Sequence, residues 1–271
     1  MRWARFDDAG HATFAIVEGK YLYPVRGTPF GDWERTGSQR PVADVKLLVP
    51  VVPGSFYACG LNYDAHVREV AKKHGVPPRI PERPEVGYRS NSALIAQNET
   101  IVIPSDATEQ IHYEGEIVAV IGKRTKNISE SDALSHVFGY TIGNDVSERN
   151  WQKVDRTMWR AKNTDTFKPM GPWIETDLNL DNLTTRVRVN NDQKIAFRTA
   201  GMLFGIPRVI SELSRYITLH PGDVVWMGTD GASVNLQHGD VVEIEIEGIG
   251  TLRNPVIRDA DKGHAASEKD F

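Results

Sequence analysis

Short runs of apolar and β-branched residues separated by turn-forming ones dominate the chain, and helical periodicity is scarce. Residues 12–17, a Gly19-Lys20 turn and residues 21–25 read as a hairpin near the N-terminus. Further strand-like runs fall at residues 56–59, 93–95, 116–121, 224–227 and 241–249. Helical spacing occurs at residues 129–137 and 201–216, where Met202, Leu203, Ile206, Val209, Ile210, Leu213 and Ile217 draw a core-facing stripe despite Pro207. Residues 46–53 carry two prolines and divide a small β-rich N-terminal unit, 1–53, from a main body, 54–258, which ends in a polar tail, 259–271. The fold class predicted is β-rich α+β.

One stretch breaks the alternation between wet and dry positions. In Tyr113-Glu114-Gly115-Glu116-Ile117-Val118-Ala119-Val120-Ile121 a strand's period of two puts Glu114, Glu116, Val118 and Val120 on one face. The opposite face, Ile117, Ala119 and Ile121, is also apolar, so the strand reads as buried on both sides. Adjacent buried carboxylates repel unless a cation or a shared proton compensates. By contrast, Val242-Glu243-Ile244-Glu245-Ile246 alternates strictly and needs only one wet face. On pattern alone, Glu114 and Glu116 fit a solvated strand end as well as a ligand pair. Asp145, at the end of a strand-like run, is a candidate third ligand and equally a turn or cap residue. Three carboxylates suit Mg²⁺ or Mn²⁺, with Ca²⁺ a substitute in crystals, better than zinc. His112 reads as a packed histidine.

Composition narrows the classes. The 271 residues, with Lys+Arg 32 against Asp+Glu 36, give a net charge of −4, which offers no field for a phosphate backbone, so no nucleic-acid partner is expected. No window approaches the roughly 18 apolar residues of a membrane span, and no membrane partner is expected. The single Cys59 allows no internal disulfide and reads as a buried small hydrophobe in a reducing, cytoplasmic compartment.

Tyr113-Glu114-Gly115-Glu116 followed by Val120-Ile121-Gly122-Lys123, together with Gly139-Tyr140 to Asn144-Asp145, resembles the fumarylacetoacetate hydrolase superfamily across roughly residues 54–256. The resemblance implies a mixed β-sandwich roll, usually a homodimer, with Glu114, Glu116 and Asp145 holding a catalytic divalent ion. It also implies a mobile lid at residues 60–69, in which His66 and Glu69, three apart on a helix, form a dyad that activates water. Taken without the family, that pair is a surface ion pair. Lys162 falls at the position of the lysine that meets metal ligands and substrate oxygens. Arg149 and Gln152 fall where acylpyruvate hydrolases hold substrate, Arg149 being equally a structural salt-bridge residue. Gly228 and Thr229 would receive a substrate oxygen.

Three departures from the family pattern stand out. Asp230-Gly231 follows Gly228-Thr229 where the family commonly has Pro, Arg89 replaces a Lys-Pro pair and is either a carboxylate contact or structural, and the lid carries Lys72, Lys73, His74, Arg79 and Arg83. The activity implied is metal-dependent hydrolysis of a C–C bond in a β-diketo acid of acylpyruvate or fumarylpyruvate type, in catabolism of aromatic or related compounds. The alternatives on the same metal site are oxaloacetate decarboxylation and keto-acid isomerisation or tautomerisation. A non-catalytic binding protein on this scaffold is the remaining reading.

Overall fold

The N-terminal hairpin forms from His11–Glu18 and Tyr21–Gly27 around Gly19-Lys20, and Arg2–Asp8 pairs along its other side. The structure, a computed structural model, describes residues 1–260. Most of the expected tail, from residue 261 on, lies outside the described residues, as do the lid side chains of Lys73 and His74.

This hairpin does not stand apart. Arg2 and Trp3 pair antiparallel with Glu175 and Ile174, so the N-terminal strands and the main body share one 13-stranded sheet. From that junction the sheet continues through Lys168–Glu175, Val137–Asn144, Gly115–Ile121, Val224–Trp226, Phe56–Gly60 and Glu85–Tyr88. A five-stranded sheet, Ile101–Ile103, Gly250–Arg258, Val241–Ile246, Thr184–Val189 and Asp192–Arg198, packs against it. The result is a strand-dominated α+β sandwich of the class expected.

Gly115–Ile121 is buried along its whole length, as its two apolar faces require. Ile117, Ala119 and Ile121 pack with Val187, Ile244 and Leu252 of the second sheet, while Val118 and Val120 join Trp3, Phe56 and Trp226 on the other side. Gly115 has a steric reason to lack a side chain: a Cβ there would meet Ile244 at 3.0 Å and Val187 at 3.1 Å. The alternating strand Val241–Ile246 behaves as its pattern predicts. Val242, Ile244 and Ile246 point inward, and Glu245 faces Arg186 and Arg188 at 3.2 and 2.8 Å.

Both helical expectations need adjustment. Residues 129–137 yield only a 3₁₀ turn, Ala133–His136, before a strand begins at Val137. Ser129 Oγ takes the Asp132 N–H and Ser135 Oγ bonds the Asp132 carbonyl, side-chain alternatives that compete with a helical ladder. The second helix is Ile206–Tyr216, with Pro207 in the first turn, where its missing N–H is harmless. Met202 and Leu203 precede it because buried Asn62 intervenes: its carbonyl accepts from Leu203 and its side chain pairs with Phe204. Two residues after Asn62 begins the helix Asp64–His74, at the segment expected to form a lid; it turns Val67 and Ala71 inward and stops at left-handed Gly75.

Candidate metal centre and its lid

Glu114 and Glu116 sit at the head of the buried strand Gly115–Ile121, and Asp145 follows the end of its neighbour Val137–Asn144. The antiparallel register pairs Gly115 with Asn144, which brings the strand ends together, and the Glu114 N–H donates to Asn144 Oδ1 at 2.9 Å. One oxygen from each of Glu114, Glu116 and Asp145 lies within 4.8 Å of the others, and all three residues are buried. Hard oxygen donors at this spacing fit a divalent cation such as Mg²⁺ or Mn²⁺.

Cations of the chain already balance much of this charge. Lys162 Nζ lies 2.6 Å from Glu114 Oε2 and 2.8 Å from Asp145 Oδ2. Arg89 forks onto Asp145 with its Nη2 at 2.8 Å, and fully buried Lys168 reaches Asp145 Oδ1 at 2.7 Å. The Arg149 guanidinium binds Glu114, donates to Gln152 Oε1 at 2.8 Å and to His112 Nδ1 at 3.0 Å.

These partners separate the three carboxyls electrostatically. Burial raises each, yet Arg149 and Lys162 outweigh it at Glu114 and bring its pKa down to about 2. Arg89, Lys162 and Lys168 likewise hold Asp145 well below the ordinary carboxylate range. Glu116 has the opposite fate: burial, reinforced by the charges of Asp145 and Glu114, pushes it well above 4.5 despite an N–H from Gly228 at 2.7 Å. A nearby cation would favour the ionised form of Glu116.

A chamber of about 350 Å³ opens onto the cluster, walled by Glu114, Glu116, Lys162, Arg149, Thr229 and His66. His66 also borders a second chamber of about 740 Å³, together with Glu69, His112 and Lys153. Burial lowers the His66 imidazole below its usual 6.5, with Glu114 and Arg149 acting in opposite directions. The shift favours the neutral imidazole, the form that can accept a proton. Cys59 lines the first chamber as a buried thiol whose pKa burial raises, which leaves it un-ionised.

The structure thus gathers Glu114, Glu116, Lys162, Arg89, Arg149, Gln152, Gly228, Thr229 and His66 around one space, with Asp145 behind Lys162 and Arg89, and Glu69 beside His66 at the second chamber. The Gly228 N–H donates to Glu116, and Arg89, read as either a carboxylate contact or structural, forks onto Asp145. Lys168 was not among the expected residues, although a lysine between Phe167 and Pro169-Met170 is a signal of a buried cation. His112, read as merely packed, contacts the Arg149 fork.

The strand-rich sandwich carries a buried tri-carboxylate cluster capable of coordinating a divalent metal beside a chamber. Residues 55–257 match the fumarylacetoacetate (FAA) hydrolase C-terminal family and residues 1–50 the Rv2993c-like N-terminal family. The chain belongs to the fumarylacetoacetate hydrolase family. It is 38% identical to Protein Rv2993c of Mycobacterium tuberculosis over 95% of this chain and 98% of that one. The crystal structure of 5-carboxymethyl-2-hydroxymuconate delta-isomerase from Mycobacterium smegmatis superposes with a TM-score of 0.86 at 39% identity, covering 96% of this chain and 100% of that one. Fumarylacetoacetate hydrolase from Exiguobacterium antarcticum superposes with a TM-score of 0.81 at 30% identity, with the same coverage. No helix among the described residues is long and apolar enough to cross a membrane.

Proposed function

We propose that the protein is a divalent-metal-dependent hydrolase that cleaves a C–C bond in a β-diketo acid of acylpyruvate or fumarylpyruvate type, acting as a homodimer in the cytoplasm. The observation that carries this reading is the buried Glu114, Glu116 and Asp145 cluster in a chamber that His66 also walls. Glu114, Glu116 and Asp145 would hold Mg²⁺ or Mn²⁺, which supplies positive charge against the negative charge developing on the keto-acid oxygens.

The chain's own residues do the rest. His66, neutral because it is buried, takes a proton from the water that attacks the distal carbonyl, and Glu69 on the same helix orients it. Lys162 neutralises oxygen charge at the cluster, while Arg149, Gln152 and Thr229 orient the carboxylate end of the substrate. A cation held by Glu114 would compete with the Arg149 guanidinium for that carboxylate. The lid helix excludes bulk water once closed.

A second reading, keto-acid isomerisation or tautomerisation, is supported by the likeness to the isomerase from Mycobacterium smegmatis. Oxaloacetate decarboxylation uses the same charge stabilisation. Turnover on a panel of acylpyruvates and oxaloacetate, with Mg²⁺, Mn²⁺ or EDTA, separates these outcomes when diketo absorbance and released pyruvate are both followed. Metal-dependent release of pyruvate plus a second acid supports hydrolysis. Loss of the diketo or enol signal without pyruvate moves the assignment to isomerisation, and pyruvate from oxaloacetate alone moves it to decarboxylation.

A further inference from the structure

Arg149 opens the helix Arg149–Val154, and three neighbours hold its guanidinium. Nε donates to His112 Nδ1 at 3.0 Å, Nη1 donates to Gln152 Oε1 at 2.8 Å, and Nη2 donates to Glu114 Oε1. A guanidinium has donors and no acceptor, so Nδ1 is the bare nitrogen of the His112 ring and the ring proton sits on Nε2. Beyond these bonds each terminal nitrogen of Arg149 carries one further N–H.

The backbone sets His112 in place for this contact. The short strand Ile111–His112 pairs antiparallel with Ser147–Glu148, His112 opposite Ser147, and the Arg149 backbone N–H donates to the Gln110 carbonyl at 2.9 Å. On its other side His112 bridges to Asn235, and the Leu236 N–H reaches the Ile111 carbonyl at 2.7 Å. A backbone tied on both sides makes the imidazole a firm mount. The grip is also mostly uncharged. His112 Nδ1 and Gln152 Oε1 orient the guanidinium without cancelling its charge, and Glu114, the one carboxylate among its three partners, is shared with Lys162. Arg149 walls both the chamber at the carboxylate cluster and the larger one that His112 lines. A cation mounted on neutral acceptors between two chambers retains charge for an anionic group.

We propose that His112 is a positioning residue for Arg149: its Nδ1 holds the guanidinium at the boundary of the two chambers as a neutral mount for the cation that meets a substrate carboxylate. The grip stands on the geometry alone, whereas its consequence for substrate rests on the role given to Arg149 above. Phenylalanine keeps a ring of similar bulk at this position and removes the acceptor. Asparagine offers a carbonyl oxygen near the place of Nδ1 and restores it.

Nuclear magnetic resonance of the full-length protein labelled with ¹⁵N-arginine tests the grip directly, with Arg149→Lys identifying the Arg149 Nε–H signal. Mn²⁺ titration and turnover of the unlabelled protein run beside it. In His112→Phe, solvent exchange of that N–H quickens about tenfold or more, the scale of one hydrogen bond to a charged group. KM for the panel substrate rises about tenfold with kcat changed less, the mark of lost binding rather than lost chemistry. His112→Asn returns both the slow exchange and the low KM. Wild-type exchange in His112→Phe, or an asparagine variant that behaves like phenylalanine, overturns the positioning role. A loss of Mn²⁺ affinity that matches the rise in KM also overturns it, by placing the effect at the carboxylate cluster. If no panel substrate turns over even in the wild type, the functional reading fails while the exchange of the Arg149 N–H still judges the grip.

Discussion

The Lys162 ammonium lies 2.6 Å from Glu114 Oε2, and both side chains are only 7% exposed. It also reaches Asp145, so a single lysine bridges two of the three carboxylates that make up the candidate metal centre. A divalent ion held by Glu114 and Asp145 would share their oxygens with this ammonium. The lysine is a resident counter-charge that keeps the cluster foldable.

Lys162→Met therefore destabilises the metal-free protein by about 3–5 kcal/mol, the usual cost of leaving a buried charge without its partner. Saturating Mn²⁺ recovers most of that loss, because binding to the folded state alone adds stability by mass action. Urea unfolding with EDTA and with Mn²⁺ measures both values. Equal losses in the two conditions would contradict the shared-oxygen picture.

Glu116→Gln keeps the fold and removes the ligand. The glutamate is already driven toward its neutral form when no cation is bound, so a neutral amide costs the metal-free fold little. Mn²⁺ affinity drops more than about 100-fold, beyond what loss of an outer partner produces. Isothermal titration reads the affinity and circular dichroism the fold.

His66→Ala retains metal and loses hydrolysis by about 10²–10⁴-fold, the usual contribution of a general base. The pH profile carries a sign. Burial lowers the imidazole pKa below 6.5, so the neutral, proton-accepting form persists to lower pH than an exposed histidine would allow. The acid limb of kcat/KM accordingly lies below pH 6.5 and disappears in the alanine variant. A limb above that value would assign the base elsewhere. The same depression makes a stability contribution that is present above pH 6.5 and is lost as pH falls through the lowered value.

Gly143→Ala tests the sandwich itself. A Cβ at Gly143 would stand 2.5 Å from the Trp226 ring, which is fully buried and tilts against Phe56. The indole has no space to yield, so the variant loses about 1–3 kcal/mol. Chemical denaturation measures it, and unchanged stability would show that Trp226 can repack.

The buried carboxylate pair stood out in the sequence because Glu114 and Glu116 violate a local rule, carboxylates on a strand apolar on both faces, while Val241–Ile246 shows the rule obeyed; the pattern alone fitted a solvated strand end equally well. Asp145 needed the resemblance, since an Asn-Asp pair at a strand end has ordinary turn chemistry to account for it. Lys168 escaped notice for a different reason: its partner, Asp145, is joined to it only by tertiary structure. Helix ends were lost the same way: Met202 and Leu203 continue the apolar stripe, but Asn62, about 140 residues earlier, claims their neighbourhood.

The pairing of Arg2 and Trp3 with Glu175 and Ile174 also bears on how the chain can be divided. Residues 1–53 cover the outer end of Lys168–Glu175 with backbone partners and lay Trp3 and Ile16 over the hydrophobic cluster holding Met170 and Ile174. Cut away, they would leave an apolar strand with unpaired amides and carbonyls, which is the template on which chains stack into aggregates. The N-terminal strands thus close this edge of the main sheet and belong to its packing rather than to a separable appendage.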